Sequence, residues 1–126
     1  MNHYQTELLK VINYWKNSDL IENEWYFENF RQNFIDNLSS AKAFENLDFT
    51  MGYLLAETDE STAVEILQTL INLAVRSDTT QIPEIILENY HQLSLKFSDV
   101  YYQLKVLELL DYYRLGINEQ IIFENR

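Results

Sequence analysis

The chain of 126 residues contains no cysteine, one proline and two glycines. Without cysteine it has no disulfide framework, no thiol nucleophile and no thiolate ligand for a metal, and this composition fits a reducing compartment. Hairpins and tight loops depend on glycine and proline, so the scarcity of both argues against a β-rich fold. The composition therefore predicts an all-α protein.

Basic residues are also scarce, since nine Lys and Arg stand against twenty Asp and Glu, for a formal net charge of −11. Such a charge repels the phosphates of nucleic acids and the head groups of anionic lipids. Residues 1–10 lack the apolar region of a secretion signal, and no stretch is long and apolar enough to span a membrane. We expect a cytoplasmic protein that contacts neither nucleic acid nor membrane and whose partner is basic.

Hydrophobic residues make up 47% of the chain and aromatic residues 14%, which is enough for one core in a single domain over 1–126. Helical spacing of apolar residues predicts a first helix from Thr6 to Asn17 and a second that opens with the capping box Asp19-x-x-Glu22. A third prediction, over 41–57, contains Gly52 and is compatible with one helix or with two short ones.

Three longer helices are predicted in the second half of the chain from their capping signals. The first opens with Thr62-x-x-Glu65, the second has Pro83 in its first turn, and the third runs from the cap Ser98 to Leu115 and stops at Gly116. Short connections predict antiparallel hairpins in a compact domain of five to seven helices, as in a bundle or a short α-solenoid. The tail 118–126 either docks as a final element or frays.

Candidate chemistry is sparse. Glu88 and His91 have the Glu-x-x-His spacing of di-iron carboxylate bundles, but such a site needs a second copy, and the only other histidine is His3. Two isolated glycines cannot form a phosphate-binding loop, and no nucleophile motif is present. The sequence predicts no catalytic residue, no metal and no cofactor, and a protein that binds rather than catalyses.

The acidic residues are unevenly distributed. Between Lys42 and Arg76 there is no basic residue, while six acidic residues occur. Acids at helix starts and on solvated helix faces account for part of this excess. Aromatic residues interleaved with the acids suggest instead a protein-binding surface, in which aromatic anchors lie within a charged rim. The predicted contact set is Glu45, Asp48, Tyr53, Glu57, Asp59 and Glu60.

The segment 49–57, Phe-Thr-Met-Gly-Tyr-Leu-Leu-Ala-Glu, followed by the cap Asp59-Glu60-Ser61-Thr62, in an acidic helical chain without cysteine, resembles the immunity proteins of bacterial polymorphic toxins. These include the immunity proteins of contact-dependent growth inhibition systems. The resemblance is one of general type along the chain and transfers no individual residue.

This resemblance implies a cytoplasmic protein that binds a cognate toxin domain, typically a basic nuclease, and blocks its active site or its access to substrate. An acidic face would occupy the basic cleft of a nuclease and speed the encounter. The alternative is an acidic nucleic-acid mimic or regulatory adaptor that binds a DNA-binding protein. The sequence leaves the oligomeric state open.

Overall fold

The computed structural model describes residues 2–17 and 25–115, and within these ranges the protein consists of seven α-helices and no strand. The helices are α1 (His3–Asn17), α2 (Tyr26–Phe34), α3 (Ser40–Glu45), α4 (Leu47–Ala56), α5 (Glu60–Ser77), α6 (Glu84–Lys96) and α7 (Val100–Tyr112). One hydrophobic cluster draws on all of them. The prediction of an all-α, compact single domain is confirmed.

The longest helix, α5, is the centre of the fold. It packs against α3, α4 and α7 and also meets α1 and α2. Its apolar residues are therefore buried around most of the helix rather than along one stripe, as with Ile66, Leu67, Leu70 and Leu73, which have no exposed surface. Val75, near the end of the helix, is apolar but 57% exposed.

The predicted helix over 41–57 is two helices, and the break falls at Asn46 rather than near Gly52. The Asn46 backbone has φ −93° and ψ 0°, which ends α3 and starts α4. Its buried side-chain amide donates to the carbonyl oxygen of Lys42 at 2.9 Å, and its Oδ1 accepts from the Asn2 amide at 3.1 Å. Because an asparagine amide can replace backbone partners in this way, the chain bends here without leaving polar atoms unpaired.

Two predicted helix starts are wrong by a few residues. Asp59, not Thr62, caps α5, and its carboxylate accepts from both the backbone N–H and the hydroxyl of Thr62. Asp99, not Ser98, caps α7 by accepting from the backbone N–H of Tyr101 at 2.8 Å. At α7 the Ser98 hydroxyl is already bound to Glu60, which leaves Asp99 as the cap.

Three further details concern the second half of the chain. The rings of Phe97 and Tyr102 lie 6.0 Å apart across the start of α7. Pro83 immediately precedes α6 instead of lying in its first turn. Helix α6 packs on α4 and α7 rather than forming a hairpin mainly with α5.

Helix α7 ends at Tyr112, three residues before the predicted end at Leu115. Arg114 follows with a positive φ of 55°. The capping box at Asp19, the stop at Gly116 and the tail 118–126 lie outside the described residues.

Candidate partner-binding surfaces

The six residues predicted as a contact set lie in two groups at opposite ends of α4. Glu45 and Asp48 lie near its start, and Glu57, Asp59 and Glu60 lie in and after the connection to α5, with Tyr53 between the groups. Because α4 has ten residues, the two ends are about 15 Å apart. The set is therefore not one tight cluster.

Glu57 is an internal residue, with a side chain that is 8% exposed. Its carboxylate accepts from Lys16 Nζ at 3.0 Å and from the backbone N–H of Asp59 at 3.1 Å. Lys96 Nζ donates to the carbonyl oxygens of Glu57 and Leu55. These contacts connect the ends of α1, α4 and α6 with the start of α5, so Glu57 is committed to the fold.

Asp59 and Glu60 also have partners inside the molecule. Asp59 caps α5, and the hydrogen bonds donated by Thr62 and Ser61 lower the pKa of its carboxyl group. Glu60 accepts from the backbone N–H of Ser98 and from the Ser98 hydroxyl, the latter at 2.8 Å. We call the set Lys16, Glu57, Asp59, Glu60, Lys96 and Ser98 the junction.

The remaining three predicted residues face solvent. Glu45 forms an exposed pair with Lys42 at 3.4 Å, and such a pair contributes little to stability. Asp48 is exposed in the first turn of α4 and has no side-chain partner among the described residues. Tyr53 is 38% exposed, and its ring lies 5.0 Å from that of Phe49.

Asp48 and Tyr53 lie on the exposed side of α4. The buried residues of the helix are Leu47, Thr50, Met51 and Leu54, and Phe49 and Leu55 are partly buried against the core. We call Asp48, Phe49, Gly52, Tyr53 and Ala56 the α4 face. A Cβ atom added at Gly52 would meet no atom within 4 Å, so packing inside the molecule does not require a glycine here. A glycine within a helix nevertheless lowers the stability of that helix.

Sequence reasoning left a second aromatic surface out of the contact set. The rings of Tyr14 on α1 and Tyr26 on α2 stack at 4.1 Å, and the neighbouring Trp25 is 62% exposed. We call these three residues the aromatic patch. Trp and Tyr are the residues most enriched in binding hot spots. The adjacent letters Trp25-Tyr26 are the signal in the sequence for this patch, although helical spacing alone groups Trp25 with the core residues Phe27 and Phe30.

Residues considered for chemistry are dispersed. Within the described ranges no group of three or more His, Asp or Glu side chains could hold a metal ion. Glu88 and His91 are exposed on α6, and hydrogen bonding with Glu84 raises the pKa of the Glu88 carboxyl group. His3 packs against Phe34, with ring centres 5.2 Å apart. Glu88 and His91 therefore lie on a solvated helix face with Glu84.

Two buried tyrosines titrate far above neutrality. Burial raises the pKa of Tyr4, whose hydroxyl lies 2.7 Å from Thr50 Oγ1. Since the Thr50 hydroxyl donates to the carbonyl oxygen of Asn46, Tyr4 is the donor to Thr50. Burial also raises the pKa of Tyr113, whose hydroxyl has no hydrogen-bond partner within residues 2–17 and 25–115. Both groups are protonated at neutral pH.

Among the described helices, none is long and apolar enough to cross a membrane. Comparison with models of protein families, with curated proteins and with solved structures found no match.

Proposed function

We propose that this protein is a cytoplasmic immunity protein that binds a cognate toxin domain, most simply a basic nuclease, and blocks its active site or its access to substrate. The protein acts by binding and not by catalysis. One observation carries the proposal: Asp48, an exposed carboxylate with no partner among the described residues, and Tyr53, an exposed aromatic ring, lie on the same helix in a chain of net charge −11.

In such a complex, long-range electrostatics and buried aromatic contacts have different effects. The negative field of the whole chain attracts a basic surface over distances of about 10 Å and raises the association rate. Affinity requires buried aromatic contacts that exclude water. The α4 face provides Tyr53 and Phe49 for this purpose, and the strip at Gly52 and Ala56 allows a partner backbone to approach closely.

The direct test is co-expression in a bacterial host of this chain with the C-terminal domain encoded by the reading frame directly upstream of its gene. We expect that domain alone to stop growth and co-expression to restore it, with a 1:1 complex in a calorimetric titration. Absence of a toxic domain at that position, or growth arrest in the presence of the folded chain, would count against the proposal.

The contact surface is tested with a matched pair of charge reversals. Glu45→Lys with Asp48→Lys changes the α4 end by the same charge as Glu84→Lys with Glu88→Lys changes exposed α6. We expect the first pair to slow association at least tenfold more than the second, because proximity and not net charge sets the effect. Equal slowing by both pairs would place the interface elsewhere while leaving the toxin-binding function standing.

The nucleic-acid mimic remains a second proposal, but the described acids favour it less. A mimic needs a track of free carboxylates. Of the six acidic residues between Lys42 and Arg76, three have basic partners, namely Glu45, Glu57 and Glu65. Asp59 caps a helix and Glu60 binds Ser98. Only Asp48 of the six lacks a partner among the described residues. A mimic would compete with duplex DNA for its partner. An immunity protein that blocks the toxin by another route would not need to compete with duplex DNA.

A further inference from the structure

A second surface lies along α5, away from the α4 face. A depression of about 540 Å³ lies between the later part of α5, the start of α3 and α7, and another of about 340 Å³ lies between α5 and α2. Both are lined by Asp36, Gln68 and Asn72. They are therefore neighbouring parts of one groove, which we call the α5 channel.

The floor of the channel combines an apolar strip with two amide groups. Val75, 57% exposed, and the side of Ile71 form the apolar part. Gln68 Nε2 donates to Asn72 Oδ1 at 2.8 Å. This bond leaves Gln68 Oε1 as an acceptor and Asn72 Nδ2 as a donor, with no further partner among the described residues. One free acceptor and one free donor match the C=O and N–H groups of an extended peptide backbone.

The rim of the channel carries more free negative than free positive charge. Glu28, Asp36 and Asp78 line it and have no charged partner in the part of the chain that the structure describes. Two ion pairs at the rim carry no net charge. They are Arg31 with Glu65 at 3.1 Å and Lys105 with Glu108 at 3.2 Å. The remaining cation is Arg76, whose Nε donates to the carbonyl oxygen of Leu38 at 2.6 Å.

We infer that the α5 channel binds an extended, lysine- or arginine-bearing segment of a partner protein. Its backbone would pair with Gln68 and Asn72, the aliphatic parts of its basic side chains would cover Val75, and their charges would meet Asp36 and Asp78. From Gln68 to Asp78 the helix rises about 15 Å, which an extended chain spans in about five residues. The inference rests on the proposed function for the identity of the partner. The chemistry of the site does not depend on that function.

The probe is a fluorescent peptide of about eight residues in which Lys alternates with Ser, because alternate side chains of an extended chain face the same way. A peptide with Glu in place of Lys is the control for sequence and length. The variant Asp36→Asn with Asp78→Asn removes two rim charges, and asparagine tolerates the positive φ of 55° at Asp78. Its matched control, Glu84→Gln with Glu88→Gln, removes two exposed charges from α6, outside the channel.

We expect the rim variant to raise the Kd of the Lys peptide about tenfold and the α6 control to raise it less than about twofold. Gln68→Ala with Asn72→Ala should weaken binding at high salt too, because hydrogen bonds are not screened as charges are. The side-chain amide NMR signals of Gln68 and Asn72 should shift on titration. Equal losses in the rim and α6 variants, or no binding of the Lys peptide by the wild-type chain, would overturn the inference.

The same rim variant separates this inference from the proposed function. If it still protects cells from the toxin domain with undiminished affinity, the channel is not the toxin's site and the immunity function stands. If the Lys peptide binds in the channel but no toxin domain is neutralised, the immunity function falls and the channel stands as a site for another basic protein.

Discussion

The junction and the α4 face both contain acidic residues, yet the two regions use that charge differently. At the junction, Glu57, Asp59 and Glu60 each accept hydrogen bonds from within the molecule. On the α4 face, Asp48 and Tyr53 point to solvent with no polar partner among the described residues. An acidic stretch in a sequence therefore combines charges that hold helices together with charges that are free to meet a partner.

The difference has a simple physical origin. Helix ends present unpaired backbone N–H and C=O groups, and acids placed at a helix start satisfy the N–H groups. Junction residues Asp59 and Glu60 lie at the start of α5. Asp48 also lies at a helix start, in the first turn of α4, but its carboxylate has no partner among the described residues and remains hydrated. The presence of a partner within the molecule, more than position or local charge density, separates the two roles.

The largest effect should come from Glu57→Ala at the junction. It removes the partner of Lys16 and leaves the backbone N–H of Asp59 unpaired, so we expect the free energy of unfolding to fall by about 2 kcal/mol. Glu45→Ala, which removes only an exposed pair with Lys42, should change it by less than about 0.5 kcal/mol. Urea denaturation measures both. Equal effects of the two substitutions would contradict the division between junction and face.

Asp59→Ala should have an intermediate effect of about 1 kcal/mol at neutral pH, the usual loss for a helix cap. Because the folded-state pKa of Asp59 lies below its unfolded value, the stabilisation by its charge is complete above pH of about 4 and is lost as the pH falls through the folded pKa. The gap between wild type and variant should therefore narrow in acid. Thermal melts at a series of pH values measure it, and a gap that widens in acid would refute the capping role.

Gly52→Ala should have an effect of opposite sign. Since no atom lies within 4 Å of the added Cβ, the substitution should stabilise the protein by about 0.5 to 1 kcal/mol through helix propensity alone. If the α4 face is a contact surface, a large side chain at the same position, as in Gly52→Trp, should preserve the fold and weaken partner binding. Destabilisation by Gly52→Ala would show that the glycine has a structural purpose.

The smallest effect on stability should come from Asp48→Asn, within about 0.5 kcal/mol, because the side chain is exposed and unpaired. The substitution should slow association with the partner at low salt and leave the association rate unchanged at high salt. Stopped-flow association at two salt concentrations resolves this, and an unchanged rate at low salt would remove Asp48 from the interface.

The helical class and most of the core were predictable because they follow from local periodicity and the scarcity of turn residues. Leu8, Val11 and Ile12 are buried as expected. Side-chain partners far apart in sequence were not predictable: Glu57 meets Lys16 across 41 positions and Glu60 meets Ser98 across 38. These contacts give two of the six predicted contact residues, Glu57 and Glu60, partners within the fold, and the second explains why Asp99 rather than Ser98 caps α7.

The Trp25 result shows the converse limit. Helical spacing predicts which side chains lie on one face of a helix but not where the helix begins. Helix α2 begins one residue after Trp25. A tryptophan just before the helix no longer follows its periodicity, so it lies exposed beside the Tyr14–Tyr26 stack. Arg31 likewise pairs with Glu65 of α5 instead of with Glu28 on its own helix.

The most direct measurement is a calorimetric titration of the upstream-encoded toxin domain into the wild-type protein and into the variant Glu45→Lys with Asp48→Lys, at low and at physiological salt. We expect a 1:1 complex with the wild type that salt weakens, and a much weaker complex with the variant while its melting temperature is unchanged. Binding of equal strength to both proteins at both salt concentrations, or no binding to the folded wild type, would contradict a role for the exposed acids Glu45 and Asp48 in neutralising a toxin.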